Sequence, residues 1–512
     1  MSRAKQHAVG RRARRTLPLM AASLLVGSGL SALAIGQGSA WAATPDAGAG
    51  RAGAAAAKVT DDLNGDGYAD LVVGAPGATV SGKAKAGYVV VTYGSKEGLD
   101  PANKKIISRS SSGVPGAATA KQEFGRHVTK ADLDQDGYAD LVVGTGVAGG
   151  GSVILWGSAS GPTGGTAVNT FGFAPQAGDF DGDGTTDLAL FDLVAYHGDD
   201  PVEQKARLWK GPIARTGAPA ATLDFMDKSE WWSYESEERP YPGCREKPEI
   251  CVDGPLSVQG PVIPRAVGDI NGDGRSDIAI NDYTGDGSWT NSILYGSPTG
   301  FKRGEAAGAR GQLGIGDING DRYDDLVVGE SEYDETEAPV MVAYGSADGL
   351  KPEVQKFDQS LPGIPGAEEE GDRFGSSVSV GDVTGDGFAD IAIGVAGEDV
   401  KTVGDAGAVV LVHGSANGVT GTGAQAFHQD TAGIPGVAEA DDQFGAATAL
   451  LDVTGDGHRD LAVSSTRENA QAGAIWSLRG TSTGLTATDS VAFGPKDVGA
   501  PDAAALFGTT LR

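Results

Sequence analysis

Asp62-Leu63-Asn64-Gly65-Asp66-Gly67-Tyr68-Ala69-Asp70, followed at once by Leu71-Val72-Val73-Gly74, is a phrase this chain states seven times. It begins again at Asp132, Asp179, Asp269, Asp317, Asp382 and Asp452. Oxygen-bearing side chains stand at positions 1, 3, 5 and 9. A glycine holds position 6 in every copy but one, and an apolar run follows. A hard cation such as Ca²⁺ takes six to eight oxygen ligands from a loop of this kind, with the sharp turn left to glycine. An EF-hand would close with a bidentate Glu at position 12. Here position 12 is Val73, Val143, Leu190, Ile280, Val328, Ile393 and Val463, all apolar. Short β-branched runs bounded by Gly read as buried strands. The phrase therefore predicts calcium loops at the tips of β-hairpins, with up to seven Ca²⁺.

The side-chain donors expected in loop order are Asp62, Asn64, Asp66 and Asp70; Asp132, Asp134, Asp136 and Asp140; Asp179, Asp181, Asp183 and Asp187; and Asp269, Asn271, Asp273 and Asp277. The last three loops offer Asp317, Asn319, Asp321 and Asp325; Asp382, Thr384, Asp386 and Asp390; and Asp452, Thr454, Asp456 and Asp460. Position 7 is variable, as suits a residue binding through its carbonyl; it is Tyr68, Tyr138, Thr185, Arg275, Tyr323, Phe388 and His458. Arg322 replaces the turn glycine in the fifth loop, which makes that loop the weakest, and Thr384 and Thr454 make the sixth and seventh looser.

Repeats decide architecture. A second signature follows each loop: a strand ending in Gly-Ser, as in Tyr93-Gly94-Ser95, Trp156-Gly157-Ser158, Tyr295-Gly296-Ser297, Tyr344-Gly345-Ser346 and His413-Gly414-Ser415. A third precedes it at Phe124-Gly125, Phe374-Gly375 and Phe444-Gly445, with no Phe-Gly read before the third, fourth and fifth loops. Three marked strands and a poorly marked fourth make a propeller blade. Phe-Gly at one end and Gly74-Ala75-Pro76 after the loop strand resemble the FG-GAP repeat. That resemblance covers roughly Lys58 to Arg512 and implies an all-β, seven-bladed β-propeller of four-stranded antiparallel blades. It is the type found at the head of integrin α subunits, and this chain looks most like the secreted bacterial members.

Met1 to Ala43 carries six basic residues and no acidic one, then the apolar stretch Leu17 to Ile35 and Ala40-Trp41-Ala42. This pattern predicts a cleaved signal peptide, of Sec rather than twin-arginine type, with an uncleaved anchor as the alternative. Residues 44–57 read as an Ala/Gly-rich leader and 58–512 as the propeller. The formal charge of −28 repels nucleic acid and anionic membrane, and no stretch after the signal could span a bilayer. Twenty-three of the 68 acidic residues lie at the loop positions, so much of the charge is local.

The widest gap between loops holds an insertion, read as 217–260, with Trp231-Trp232, Tyr241, Cys244 and Cys251. Export favours a disulfide between the cysteines, and an aromatic loop on a repeat scaffold predicts a surface for an extracellular protein or glycan. Gly144-x-Gly146-x-x-Gly149 and Gly480-x-Ser482-x-Gly484 imitate nucleotide and hydrolase motifs, but neither leads into a helix. No constellation for acid-base, nucleophilic or zinc chemistry survives, so a monomeric, non-enzymatic adhesion or ligand-binding module is expected. A lectin-like propeller and a propeller accompanying an extracellular hydrolase are the alternatives. Finally, Phe507-Gly508 to Arg512 is half of an inner strand with no loop behind it, and the first unit lacks that half. The sequence thus predicts that the C-terminal strand completes the first blade.

Overall fold

The computed structural model describes residues 61–194, 204–226, 260–285, 287–331 and 340–512. Over these residues the strands form seven four-stranded antiparallel sheets. The second blade shows the plan: Val128–Ala131 innermost, then Asp140–Val143, Gly149–Trp156 and Thr163–Thr170 outermost. Six phrases join the inner strand of their blade to the second, and the first leads into the second strand of its own blade, so all seven loops lie at the same end of their strands.

The first blade is completed from the other end of the chain. Thr510–Leu511 pairs with Leu71–Ala75, in the register Val73 to Leu511 and Gly74 to Thr510. Gly508 N donates to Gly74 O at 3.0 Å, as Gly125 N does to Gly144 O in the second blade at 3.1 Å. The expected closure is present, and it leaves the second strand of the first blade without a free edge.

Burial is organised by junction between blades, with one apolar cluster at each. Position 2 of every phrase plugs the junction with the following blade: Leu63, Leu133, Phe180, Ile270, Ile318, Val383 and Val453 are at most 3% exposed. Leu63, for example, packs among Val89 and Val91 of its own blade and Leu141 and Val153 of the next. The phenylalanines of the Phe-Gly signature, Phe124, Phe374, Phe444 and Phe507, enter the same clusters. So does Phe171, eight residues before Asp179, where no Phe-Gly was read. Phe171-Gly172 is a further copy, obscured by Phe173 beside it. Before the fourth and fifth loops the signature is absent, and at the third junction Val262 stands in the cluster.

The span read as an insertion also needs revision at its start. Ala221–Asp224 is the outer strand of the third blade, and Phe225 and Met226 are buried in the core. Any insertion begins after Met226. Trp231, Trp232, Tyr241, Cys244 and Cys251 fall outside the described residues, as do the signal and leader.

The inner strands surround a central channel made of two adjoining cavities of 330 and 420 Å³. In so acidic a chain its lining is basic, with Arg126, Lys130, Arg265, Arg459 and Arg512. Lys130 is held by Asp61 at 3.3 Å and by the carbonyl of Asp70 at 2.7 Å. No helix among the described residues is long and apolar enough to cross a membrane.

Candidate metal centres

Each loop is wound around its first aspartate. The position-6 amide donates to one oxygen of that carboxylate in all seven loops, at 2.8–3.2 Å. The position-5 amide donates to the other oxygen, as Asp66 N does to Asp62 Oδ1 at 3.2 Å. Positions 1, 3 and 5 are thereby gathered on the outside of one turn. In the fifth loop Arg322 keeps the same bond at 2.8 Å by adopting φ +76°, a left-handed conformation that costs a side chain roughly 1–2 kcal/mol.

Position 9 is different. Asp70, Asp140, Asp187, Asp277, Asp325, Asp390 and Asp460 are at most 2% exposed. One oxygen of each accepts from the glycine that ends the third strand, Gly94, Gly157, Gly211, Gly296, Gly345, Gly414 and Gly480, at 2.7–3.2 Å. In the first six loops the other accepts from the position-2 amide at 2.8–3.1 Å. In the seventh it accepts from Thr454 N at 3.0 Å. The Gly-Ser signature thus has its reason. A Cβ on Gly94 would stand 2.4 Å from Ala69 O, so only glycine brings its amide to the carboxylate. Burial pushes Asp70, Asp140, Asp277 and Asp325 up to about 7, and Asp187 and Asp460 to about 6. A nearby cation would reverse that shift.

The donor set fits a hard cation. Carboxylate oxygens of Asp132, Asp134 and Asp136 lie within 4.8 Å of one another, and so do those of Asp179, Asp181 and Asp187. The second loop thus gathers positions 1, 3 and 5, and the third loop positions 1, 3 and 9. Thr384 Oγ1, at position 3 of the sixth loop, is buried with no hydrogen-bond partner, an oxygen a cation would satisfy. The two loops with four aspartates also receive basic side chains. Arg215 bonds Asp134 and Asp136, and Lys210 reaches Asp181 at 2.8 Å.

The seven loops also form a belt, which the sequence reading did not foresee. In six of the seven loops, all but the third, the position-8 amide donates to the position-1 carbonyl of the preceding loop, as Ala139 N does to Asp62 O at 2.8 Å and Arg459 N to Asp382 O at 3.1 Å. Ala69 N joins the first loop to the seventh in the same way, donating to Asp452 O at 3.1 Å. Position-7 side chains cover the position-4 glycine of the preceding loop: Tyr138 on Gly65, Arg275 on Gly182, Tyr323 on Gly272, Phe388 on Gly320, His458 on Gly385 and Tyr68 on Gly455. Only the second loop has a larger residue at position 4, Gln135, and the following loop carries the small Thr185 at position 7. That exchange of bulk is visible in the sequence once the ring order is known.

The remaining sequence features take structural places. The Gly144 to Gly149 stretch enters the strand Gly149–Trp156, and Gly484 opens a strand after a hairpin turn. Tyr93 and Trp156 are buried in the junctions, with Trp209, Tyr295 and Tyr344 packed against them.

Comparison with known proteins agrees with this geometry. The family model described as FG-GAP repeat matches residues 43–92, 374–412 and 444–478, and the FG-GAP-like repeat matches 132–190. The chain is an FG-GAP repeat propeller of the integrin-α-like type. It is 29% identical to integrin alpha pat-2 of Caenorhabditis briggsae over 255 residues, 44% of this chain and 19% of that protein. It is 37% identical to phosphatidylinositol-glycan-specific phospholipase D of Mus musculus over 97 residues, 19% of this chain and 11% of that protein. The chain therefore spans about a fifth or less of the length of these relatives. Among solved structures, AofleA from Arthrobotrys oligospora aligns at a TM-score of 0.35 and 10% identity, over 75% of this chain and 96% of that one, too loosely to bear on the fold.

Proposed function

We propose that the chain is a secreted, calcium-braced propeller that works as an extracellular adhesion or ligand-binding module, with no catalytic activity of its own. The observation that carries this reading is the belt: seven loops with one oxygen pattern on one face, six of them bonded to the loop before. Calcium in a loop would neutralise three or four clustered carboxylates and fix the hairpin tips that link neighbouring blades. The similarity to integrin α chains supports a binding role. The similarity to phospholipase D proteins favours, as a second reading, a propeller that accompanies an extracellular hydrolase. The lectin reading loses its periodic aromatics, which are packed into the junctions.

The test is retention of partners on immobilised protein, using a glycan array and a panel of extracellular matrix proteins. The assay is run in millimolar calcium and again in EDTA. The adhesion reading expects at least one partner held in calcium and released by EDTA. A protein that retains nothing in calcium yet cleaves a glycosylphosphatidylinositol anchor contradicts it and supports the second.

A further inference from the structure

At the strand ends remote from the seven loops, the junction of the sixth and seventh blades holds another group of oxygen donors. Glu439 and Asp442 come from the connection that precedes Phe444, and Glu468 from the turn after the strand Asp460–Ser465. Oxygens of these three carboxylates lie within 4.8 Å of one another. Asp442 is 4% exposed, and its Oδ2 accepts from Glu439 N at 3.1 Å. Gln429 faces the group, its Nε2 donating to Glu468 Oε2 at 2.8 Å. Gln429 is 2% exposed, and its Oε1 has no hydrogen-bond partner. A buried amide oxygen left unpaired calls for an explanation, and here it stands beside three acids.

The hydrogen bonds of this group recur at the preceding junction, but among the described residues the three carboxylates there do not gather within 4.8 Å of one another. Each residue has a counterpart 70 positions earlier, at the junction of the fifth and sixth blades: Gln359, Glu369, Asp372 and Glu398. Gln359 Nε2 donates to Glu398 Oε2 at 3.0 Å, and Glu369 N to Asp372 Oδ2 at 2.7 Å. Gln359 is 4% exposed, and its Oε1 is again unpartnered. At the junction of the first and second blades the matching positions are Arg109, Thr119, Gln122 and Ala148. There the acids are gone together, and an arginine donating to Pro115 O and Gly151 O stands in place of the glutamine. Where the acids are replaced, the glutamine at the first of these positions is replaced with them.

We infer that Gln429, Glu439, Asp442 and Glu468 form a divalent-cation site distinct from the seven loops. Three carboxylates and an amide carbonyl are the hard oxygen set of calcium, whose flexible coordination suits donors drawn from a connection and a turn, with water completing the shell. The ion would tie the connection leaving the sixth blade to a turn of the seventh, on the face the loops do not reach.

The test is calcium content by elemental analysis after equilibrium dialysis against calcium chloride. It compares the full chain with Glu468→Gln, which should lower the bound calcium by about one ion per chain. Gln429→Met, which keeps the packing but removes the oxygen, should weaken calcium binding there and guards against a carboxylate variant that misfolds. Unchanged calcium content in folded variants overturns the proposal. Because the readout is a difference from the parent, it stands whether or not the seven loops bind: loops that take no metal would lower the parent's total but not this decrement.

Discussion

Deleting Phe507 to Arg512 is expected to abolish the monomeric fold or lower its melting temperature by on the order of 10 °C. The six residues are few, but they complete a blade. Phe507 is wholly buried and packs edge-on to Phe493 at 6.2 Å. Arg512 and Val72 exchange backbone bonds of 2.7 and 3.1 Å, and Phe507 N donates to Ala472 O at 3.0 Å. Losing a buried phenylalanine alone costs about 3–5 kcal/mol. The deletion also strips the partner from Leu71–Ala75, leaving an apolar strand edge open to a second chain. Size-exclusion chromatography and a melting curve of the truncated chain would show aggregation or the lowered transition. A monomer with parental stability would disprove closure by the C-terminal strand. Phe507→Ala should fall between the two.

The second large effect is expected from Asp325→Ala. Its carboxylate is fully buried and accepts from Ile318 N at 3.0 Å and Gly345 N at 2.8 Å. Alanine leaves both amides buried and unpaired, at about 1–3 kcal/mol each. Chemical denaturation should report a loss of about 2–6 kcal/mol on that account, with Asp325→Asn losing less because it keeps one acceptor oxygen. The measurement is made in EDTA, so that the loss reports the clamp on the backbone rather than metal ligation. A variant as stable as the parent in EDTA would mean that the position-9 aspartates serve the metal alone.

The hairpin tips, the strand after each loop and the closing strand were all legible, because each is encoded within one unit by spacing, periodicity and turn residues. What was missed lies between units. Tyr138 meets Gly65 and His458 meets Gly385 across intervals set by the ring, and no local pattern announces such pairs. The position-9 aspartates looked like ligands only. Their clamp on the third strand appears when Gly94 and its counterparts are brought back onto the loop. The outer strand Ala221–Asp224 was hidden because its sequence, Ala-Thr-Leu-Asp, alternates weakly and is mostly exposed. The Gln-Glu-Asp-Glu group escaped because its members are spread over 40 residues and meet only where two blades touch.

The central claim is that metal in the loops braces the ring, and the melting curve in calcium against EDTA tests it most directly. The choice of pH follows from the buried position-9 carboxyls. Their folded pKa values are raised, so their protonation favours the fold below the ordinary carboxylate range, and that support is lost as pH rises through about 6 to 7. At pH 8 they are ionised and mutual repulsion within each loop is greatest, so the gain from a bound cation is at its largest. A ligand that binds only the native state stabilises it by about 2.7 kcal/mol at a hundredfold excess over its dissociation constant, and several sites add. The account predicts a transition at pH 8 that rises with millimolar calcium and falls in EDTA. Curves that superimpose in calcium and EDTA would contradict it.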